Sequence, residues 1–360
     1  MRLLLLGALG PYPERLSSFI ADGHQIWWVN TLPPGPPPED VPGVAICALS
    51  SLATGGATEH AADGLVTLIA REHIEVVYSL LNIWDGSVQI TAALLRHGCP
   101  VPLVRHYKEH YMQPWDDERL SIEQATGAIF INAESREYFA GVYRLPARTA
   151  CVDPDLLPRR YLAGPLQPKL SAGDHRPHLL IAGTVTDDGG RYDYRPLIAQ
   201  LTAHGAHVHL YGLFKRMQPN GQMPYSAEVE ATYRGLTADG LLHLHAPVPP
   251  ARFVEAWSPY DAGLLHMRRD DDRFRALNIP NRYSAYLAAG VPVAMPRDSM
   301  PAMQRRLTAL GGAILYEEPG DLVARLPDGD AAARALQARE AVTAEAVYPE
   351  IMRFLTACVG

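Results

Sequence analysis

NIPNRYSAYLAAGVPVAMP, residues Asn278–Pro296, is the stretch whose reading decides the fold. Asn278 is a residue type that caps helices, and Pro280 falls in the first turn, where a missing N–H costs nothing. The spacing predicts a helix through Tyr283, Ala285, Tyr286 and Leu287 that stops at Gly290, a residue free to take the left-handed conformation. Val291, Pro292 and Val293 then open a short apolar strand. Helix N-termini present unpaired N–H groups and about half a positive charge, and Arg282 lies in this first turn. That combination suits a bound phosphate, while an ordinary helix–strand unit with a surface arginine accounts for the same residues.

The segment resembles the P-x-K-x-x-E-Y-x-A-x-G-x-P-V signature of GT-B-fold glycosyltransferases, in particular the large family four and its relatives. Pro280, Tyr286, Ala288, Gly290, Pro292 and Val293 match as they stand. The resemblance implies that Arg282 takes the place of the lysine that holds the nucleotide diphosphate, with Asn281 and Ser284 beside it. Ala285 stands where the family has the glutamate that clamps the ribose hydroxyls, and Leu277 where it has a second carboxylate. An alanine accepts no hydrogen bond through its side chain, so Ser284, Glu317 and Glu318 are the residues placed to substitute.

The remainder of the chain accords with two such domains. Its 360 residues suffice for two cores, and 48% hydrophobic with 20% charged residues describe a globular protein. A net charge of −7 and a pI near 6.0 argue against a nucleic-acid surface. Four widely spaced cysteines, Cys47, Cys99, Cys151 and Cys358, contain no CxxC pair and read as reduced core thiols of a cytoplasmic protein. MRLLLLGALG has too short an apolar run for a signal peptide and reads as the first strand of a parallel sheet. No stretch is long enough to cross a bilayer.

Apolar runs predict strands at Leu3–Leu6, Gln25–Asn30, Val44–Leu49, Val76–Leu81, Val101–Val104 and Ala128–Ile131, with amphipathic helices between them. A second series predicts strands at Leu179–Ala182, Val208–Tyr211, Leu241–His245, Ala262–His266, Val291–Met295 and Ala313–Tyr316. Pro33–Pro38 reads as a stiff loop and Asp153–Pro177 as the linker between halves. The expected architecture is α/β, GT-B: two Rossmann-like doubly wound parallel-sheet domains, 1–160 and 161–335, facing an interdomain cleft. Residues 336–360 form a last helix returning to the first domain, as the resemblance implies. Open α/β sheets bind ligands at the carboxyl ends of their strands.

Several segments carry the candidate chemistry. The first βα turn, Gly7–Tyr12, lacks G-x-G-x-x-G spacing, and Asn30 rather than an acid ends the second strand, which opposes dinucleotide binding. On the glycosyltransferase reading Gly10 and Tyr12 lie near the acceptor. LLIAGTVTDDGGRYDYRPLI opens the second domain as strand, glycine loop and helix, a phosphate-cradling order. Gly183, Thr184 and Arg191 match the family's diphosphate contacts, and a tight turn with a solvated arginine is the plain alternative. Asp261 resembles the family's turn aspartate, and Asp270–Asp272 are carboxylates near the absent second glutamate.

Acid–base groups are sought in the first domain. Arg105–Pro114 follows a strand end and holds His106, Lys108, Glu109 and His110; Asp85 is equivalent by position. His106, Glu109 and Asp85 are the candidate bases. A further pattern is His207 and His209 on one strand with His243 and His245 on its expected neighbour. Aligned registers bring four imidazoles together, but no cysteine or carboxylate joins the spacing, and satisfied core histidines are the expectation. The reading is a metal-independent transferase moving a sugar from a nucleotide-sugar donor to a small-molecule, glycan or lipid-linked acceptor, with a homodimer as the candidate assembly. A nucleotide-sugar 2-epimerase and a non-catalytic sugar-nucleotide-binding protein are the alternatives.

Overall fold

The computed structural model describes residues 1–7, 13–30, 43–48, 57–81, 86–108, 115–216, 218, 223–266 and 276–360. The chain divides into two compact units, Met1–Pro158 with Ala344–Gly360, and Arg159–Thr343. Residues 336–343 therefore stay with the second unit, and the returning segment begins at Ala344.

The first unit holds seven parallel strands: β1 (Arg2–Leu6), β2 (Gln25–Asn30), β3 (Val44–Ala48), β4 (Val76–Leu81), β5 (Leu103–Tyr107), β6 (Gly127–Phe130) and β7 (Arg148–Cys151). Their order is β3-β2-β1-β4-β5-β6-β7. Runs such as RLLLL form central strands because both faces of a parallel sheet are covered by helices, so alternation gives way to continuous apolar sequence. One face packs Leu3, Leu5, Trp28 and Tyr78 against Ile351, Leu355 and Cys358 of the final helix, Ala344–Val359. Gly127 permits this docking: a Cβ there would lie 2.8 Å from Cys358 Sγ and 2.9 Å from the Phe354 ring.

The second unit repeats the scheme with β8 (His178–Val185), β9 (His207–Phe214), β10 (Leu242–His245), β11 (Ala262–Leu264), β12 (Val293–Pro296) and β13 (Ala313–Tyr316), ordered β10-β9-β8-β11-β12-β13 and all parallel. In each unit the strand order reverses beside the first strand, the switch point at which doubly wound sheets bind ligands. Gly7 and Gly183 occupy equivalent places there, with φ +115 and +108. A Cβ on Gly7 would sit 2.2 Å from the Leu80 carbonyl oxygen, so only glycine fits.

Three departures from the sequence reading bear on function. β5 runs through Arg105, His106 and Tyr107, all buried, rather than stopping at Val104, so His106 is a strand residue and not part of the following loop. β7, Arg-Thr-Ala-Cys, is an edge strand with no apolar run to announce it. Asp153–Pro158, expected as linker, belongs to the first unit's core, with Asp153, Leu156 and Leu157 buried.

Candidate functional site

The decisive helix spans Arg282–Ala288, with Asn281 as its N-cap and no side-chain capping bond. Asn278 is buried upstream and does not cap it. Its C-terminus closes as expected: Gly290 has φ +67, its N–H donates to Leu287 O, and Val291 N–H donates to Tyr286 O. Those two bonds define a Schellman motif. Residues Tyr283–Ala288 are all buried, so this is a core helix whose half-buried N-terminal end carries Arg282.

Arg282 and Tyr286, one turn apart on the same face, act on one residue of β8. β11 pairs with β8 at Leu179 and Leu180. Further along, at Ala182, the backbone is held by side chains: the N–H donates to the Tyr286 hydroxyl at 3.0 Å, and the carbonyl accepts from Arg282 Nη1 at 2.9 Å. Nη1 also donates to the Tyr194 hydroxyl at 2.8 Å. The guanidinium carbon lies 3.8 Å from where a Gly183 Cβ would be. Gly183, half-buried Thr184 and Arg282 are thus gathered at the carboxyl end of β8. Tyr286 also explains the glycine of the Asp-x-Gly segment, since a Cβ on Gly263 would meet its ring at 2.5 Å.

The other expected donor contacts are engaged elsewhere. Ser284 Oγ is buried and donates to Asn281 O within its own helix at 2.8 Å. The Arg191 guanidinium folds onto the Tyr192 ring, 4.4 Å from its centroid, and donates to its hydroxyl. In the glycine loop, Gly189 N–H donates to Asp193 and Gly190 N–H to Asp188, both at 2.9 Å. Arg195 in turn holds Asp193, its Nε donating to Oδ1 at 2.9 Å, and the aspartate stays below the usual carboxylate range through these donors despite burial. Two amides that a phosphate cradle would use are therefore bonded within the loop. Glu317 pairs with Arg297 at 2.8 Å, and Glu318 forms a capping box with Asp321 on the helix Pro319–Arg325. Both follow β13, three strand spacings from β8, or about 14 Å.

In the first unit, His106 is fully buried and both its ring nitrogens are engaged. The Val152 carbonyl can only accept, so His106 Nε2–H donates to it at 2.7 Å. Nδ1 then accepts from the Tyr78 hydroxyl. Burial, the largest influence, pushes the imidazole down to about 4. This histidine is a neutral strut tying β4, β5 and the chain after β7; no ring nitrogen is left for an acceptor hydroxyl.

A polar cluster missed by the sequence reading adjoins it. Arg15 Nη1 pairs with Asp155 at 2.6 Å, and Lys108 Nζ lies 3.6 Å from both Asp153 and Asp155. Arg105 is buried beside it in the strand, donating from Nη1 to the Ser79 and Thr91 hydroxyls. Gly10, Tyr12, Asp85, Glu109, His110 and Asp270–Asp272 lie outside the described residues.

No protein-family model matches the sequence, and no curated protein does. Solved structures do match over the whole chain. Sucrose-phosphate synthase from Thermosynechococcus elongatus superposes with a TM-score of 0.67 at 14% identity, covering 99% of each chain. Anabaena HepE, solved in complex with UDP, gives 0.61 at 14% identity over 99% of this chain and 100% of its own. UDP-N-acetylglucosamine 2-epimerase from Rickettsia bellii gives 0.54 at 12% identity, covering 100% and 97%. With its two all-parallel α/β sheets and these likenesses, the chain has the GT-B fold.

Proposed function

We propose that the protein is a glycosyltransferase related to family four that transfers a sugar from a nucleotide-sugar donor to a small-molecule, glycan or lipid-linked acceptor. The observation carrying this reading is Arg282: it occupies the signature's cation position, and Nη1 is fixed by Ala182 O and Tyr194 over a glycine without a Cβ. Nη1 makes structural bonds to Ala182 O and Tyr194, and the planar fork that carries it is the group proposed to meet a diphosphate. Gly183 and Thr184 line the same strand end. Positive charge held in this way stabilises the leaving diphosphate without a metal in the transfer step.

For the acceptor side, His106 is committed to the core, so Asp85 and Glu109 are the proposed bases. β4 and β5 end side by side, with Leu81 paired to Tyr107, four residues before Asp85 and two before Glu109. An Asp or Glu carboxylate next to an acceptor hydroxyl can take its proton.

Thermal stability with UDP, GDP, ADP, TDP and CDP, each alone and as sugar conjugates, tests the donor site. A ligand at a hundredfold its Kd stabilises by about 2.7 kcal/mol. Arg282→Ala should weaken the responding diphosphate by about 1.5–3 kcal/mol, or about 10–150-fold. An unchanged Kd removes Arg282 from the site. The epimerase reading draws on the likeness to the Rickettsia bellii epimerase, and turnover of a donor sugar with no acceptor present would select it.

A further inference from the structure

In the second sheet, five imidazoles share one face, running from the start of β8 out to the edge strand β10. The registers align: His178 pairs with His207 across β8 and β9, and His209 with His243 across β9 and β10. His245 completes the set, and neighbouring rings stack at 4.5–5.2 Å. The sequence expectation counted four histidines and no carboxylate. His178 is the fifth, and Asp174, at the end of the short helix Ser171–Asp174, supplies the acid. Nor is the face closed over, since His178 and His209 are buried while His207, His243 and His245 are half-buried toward the edge strand.

We propose that Asp174, His178 and His207 form a binding site for one divalent transition-metal ion of the zinc class. Asp174 Oδ2 lies 3.1 Å from His178 Nε2 and 3.2 Å from His207 Nε2, and the three ligand atoms all lie within 4.8 Å of one another. A tetrahedral zinc with bonds of about 2.0–2.1 Å holds its ligand atoms roughly 3.4 Å apart. Both carboxylate–imidazole separations are already near that value. The His178 and His207 rings, stacked at 4.6 Å with 8° between planes, need to tilt toward each other to converge on one ion. Two histidines and one carboxylate are an N/O set suited to zinc, cobalt or nickel, with a position left for water.

The remaining histidines supply outer partners. His178 Nδ1 faces His209 Nε2 at 2.8 Å, His209 Nδ1 faces His245 Nε2 at 2.9 Å, and His207 Nδ1 faces His243 Nε2 at 2.9 Å. A metal on the Nε2 atoms of His178 and His207 requires both rings to carry their proton on Nδ1. Each then donates to the next Nε2, and the Nδ1–H order propagates to His209, His243 and His245. Every ligand thus donates its second nitrogen to an acceptor, as ligating histidines do. Without metal, Asp174 can only accept, so His178 and His207 carry Nε2–H, and the whole array reverses. His178 and Gly183 are the first and sixth residues of β8, about 16 Å apart along the strand, so the ion lies away from the Arg282 end and takes no part in transfer.

The test uses tag-free full-length protein stripped with EDTA and titrated with Zn2+, then with Co2+ as a spectroscopic probe. One saturable equivalent and a raised Tm are expected. His207→Gln and Asp174→Asn should each lower the affinity by at least about 100-fold, and His209→Gln, outside the ligand set, by about 10–100-fold. Nitrogen-15 imidazole spectra need no variant: Zn2+ should convert the five rings from Nε2–H to Nδ1–H. Absence of saturable binding of Zn2+, Co2+ and Ni2+ would overturn the proposal, as would unaltered tautomers at one equivalent. The readouts involve no nucleotide, so they stand or fall apart from the donor-site test.

Discussion

Tyr286→Phe isolates one atom of the site. The ring's packing survives the change: it meets Trp257 edge-on at 5.7 Å and covers Gly263. Only the hydroxyl is lost, and with it the acceptor for Ala182 N–H, bonded at 3.0 Å. Ala182 is 5% exposed, so water does not replace the missing oxygen. A buried N–H left without its partner costs about 1–3 kcal/mol, whereas a hydrogen bond whose partners can both reach water costs far less. For a domain of this size that corresponds to a fall of about 2–12 °C in the melting temperature of the second unit. Thermal unfolding followed by tyrosine and tryptophan signals measures it, and hydrogen exchange at the Ala182 amide locates it. A melting temperature within about 1 °C of the parent, with the Ala182 amide as protected as before, would refute the reasoning that this hydroxyl holds the strand end.

Two further outcomes follow from the same geometry. His106 has a folded-state value of about 4 against an ordinary 6.5, so the unfolded chain binds the extra proton first; the stability this burial allows is complete above pH 6.5 and is lost as the pH falls toward 4, by on the order of 3 kcal/mol. A proton NMR titration showing His106 with a midpoint near 6.5 would contradict its placement. Gly290→Ala should cost at least about 1–2 kcal/mol, since φ is +67 and the new Cβ would lie 2.4 Å from Leu336; denaturation midpoints unchanged from the parent would exclude the strain.

What the sequence made legible was the part carried by contiguous apolar residues. Leu3–Leu6, Val76–Leu81 and Leu179–Ala182 announce central strands because both faces are buried, and Gly290 announces a helix end because the left-handed conformation selects it. Arg105, His106 and Tyr107 defeat the same rule: polar side chains buried in a strand look like a loop until their partners, Ser79, Thr91, Tyr78 and Val152, are known from distant segments. Asp153 was hidden for the same reason, since its neighbour Lys108 is far away in sequence. Glu318 carries its own local signal, because Pro319 at the first helical position and Asp321 at the third mark a helix start rather than a ribose clamp. On the proposed reading, the resemblance singles out Arg282 but not its grip on Ala182, which lies 100 residues earlier.

On the proposed reading, Ala285 makes the departure from the signature a change of recognition and not a gap to be filled. Its side chain is 1% exposed, with Ser284 and Tyr286 beside it at 0%. A glutamate there would carry a carboxylate into a packed core, at a cost of several kcal/mol unless a cation met it. The helix therefore presents one charged group at its half-buried N-terminal end, and Nη1 of that group is held by Ala182 O and the Tyr194 hydroxyl. A guanidinium fixed in this way recognises the charge and planar spread of diphosphate oxygens, which every nucleotide shares, and it does not sense ribose hydroxyls or the base. On the proposed reading, donor selectivity passes to groups off this helix, and Thr184 is the nearest described polar side chain on the same strand end. The structural role of Nη1 also separates the arginine from the family's lysine. A lysine is a point charge on a flexible stem, whereas Arg282 ties β8 to Tyr194 with one nitrogen of a rigid planar fork. Arg282→Lys would then preserve charge and lose the tie, so it should weaken diphosphate binding even though the formal charge at the site is unchanged.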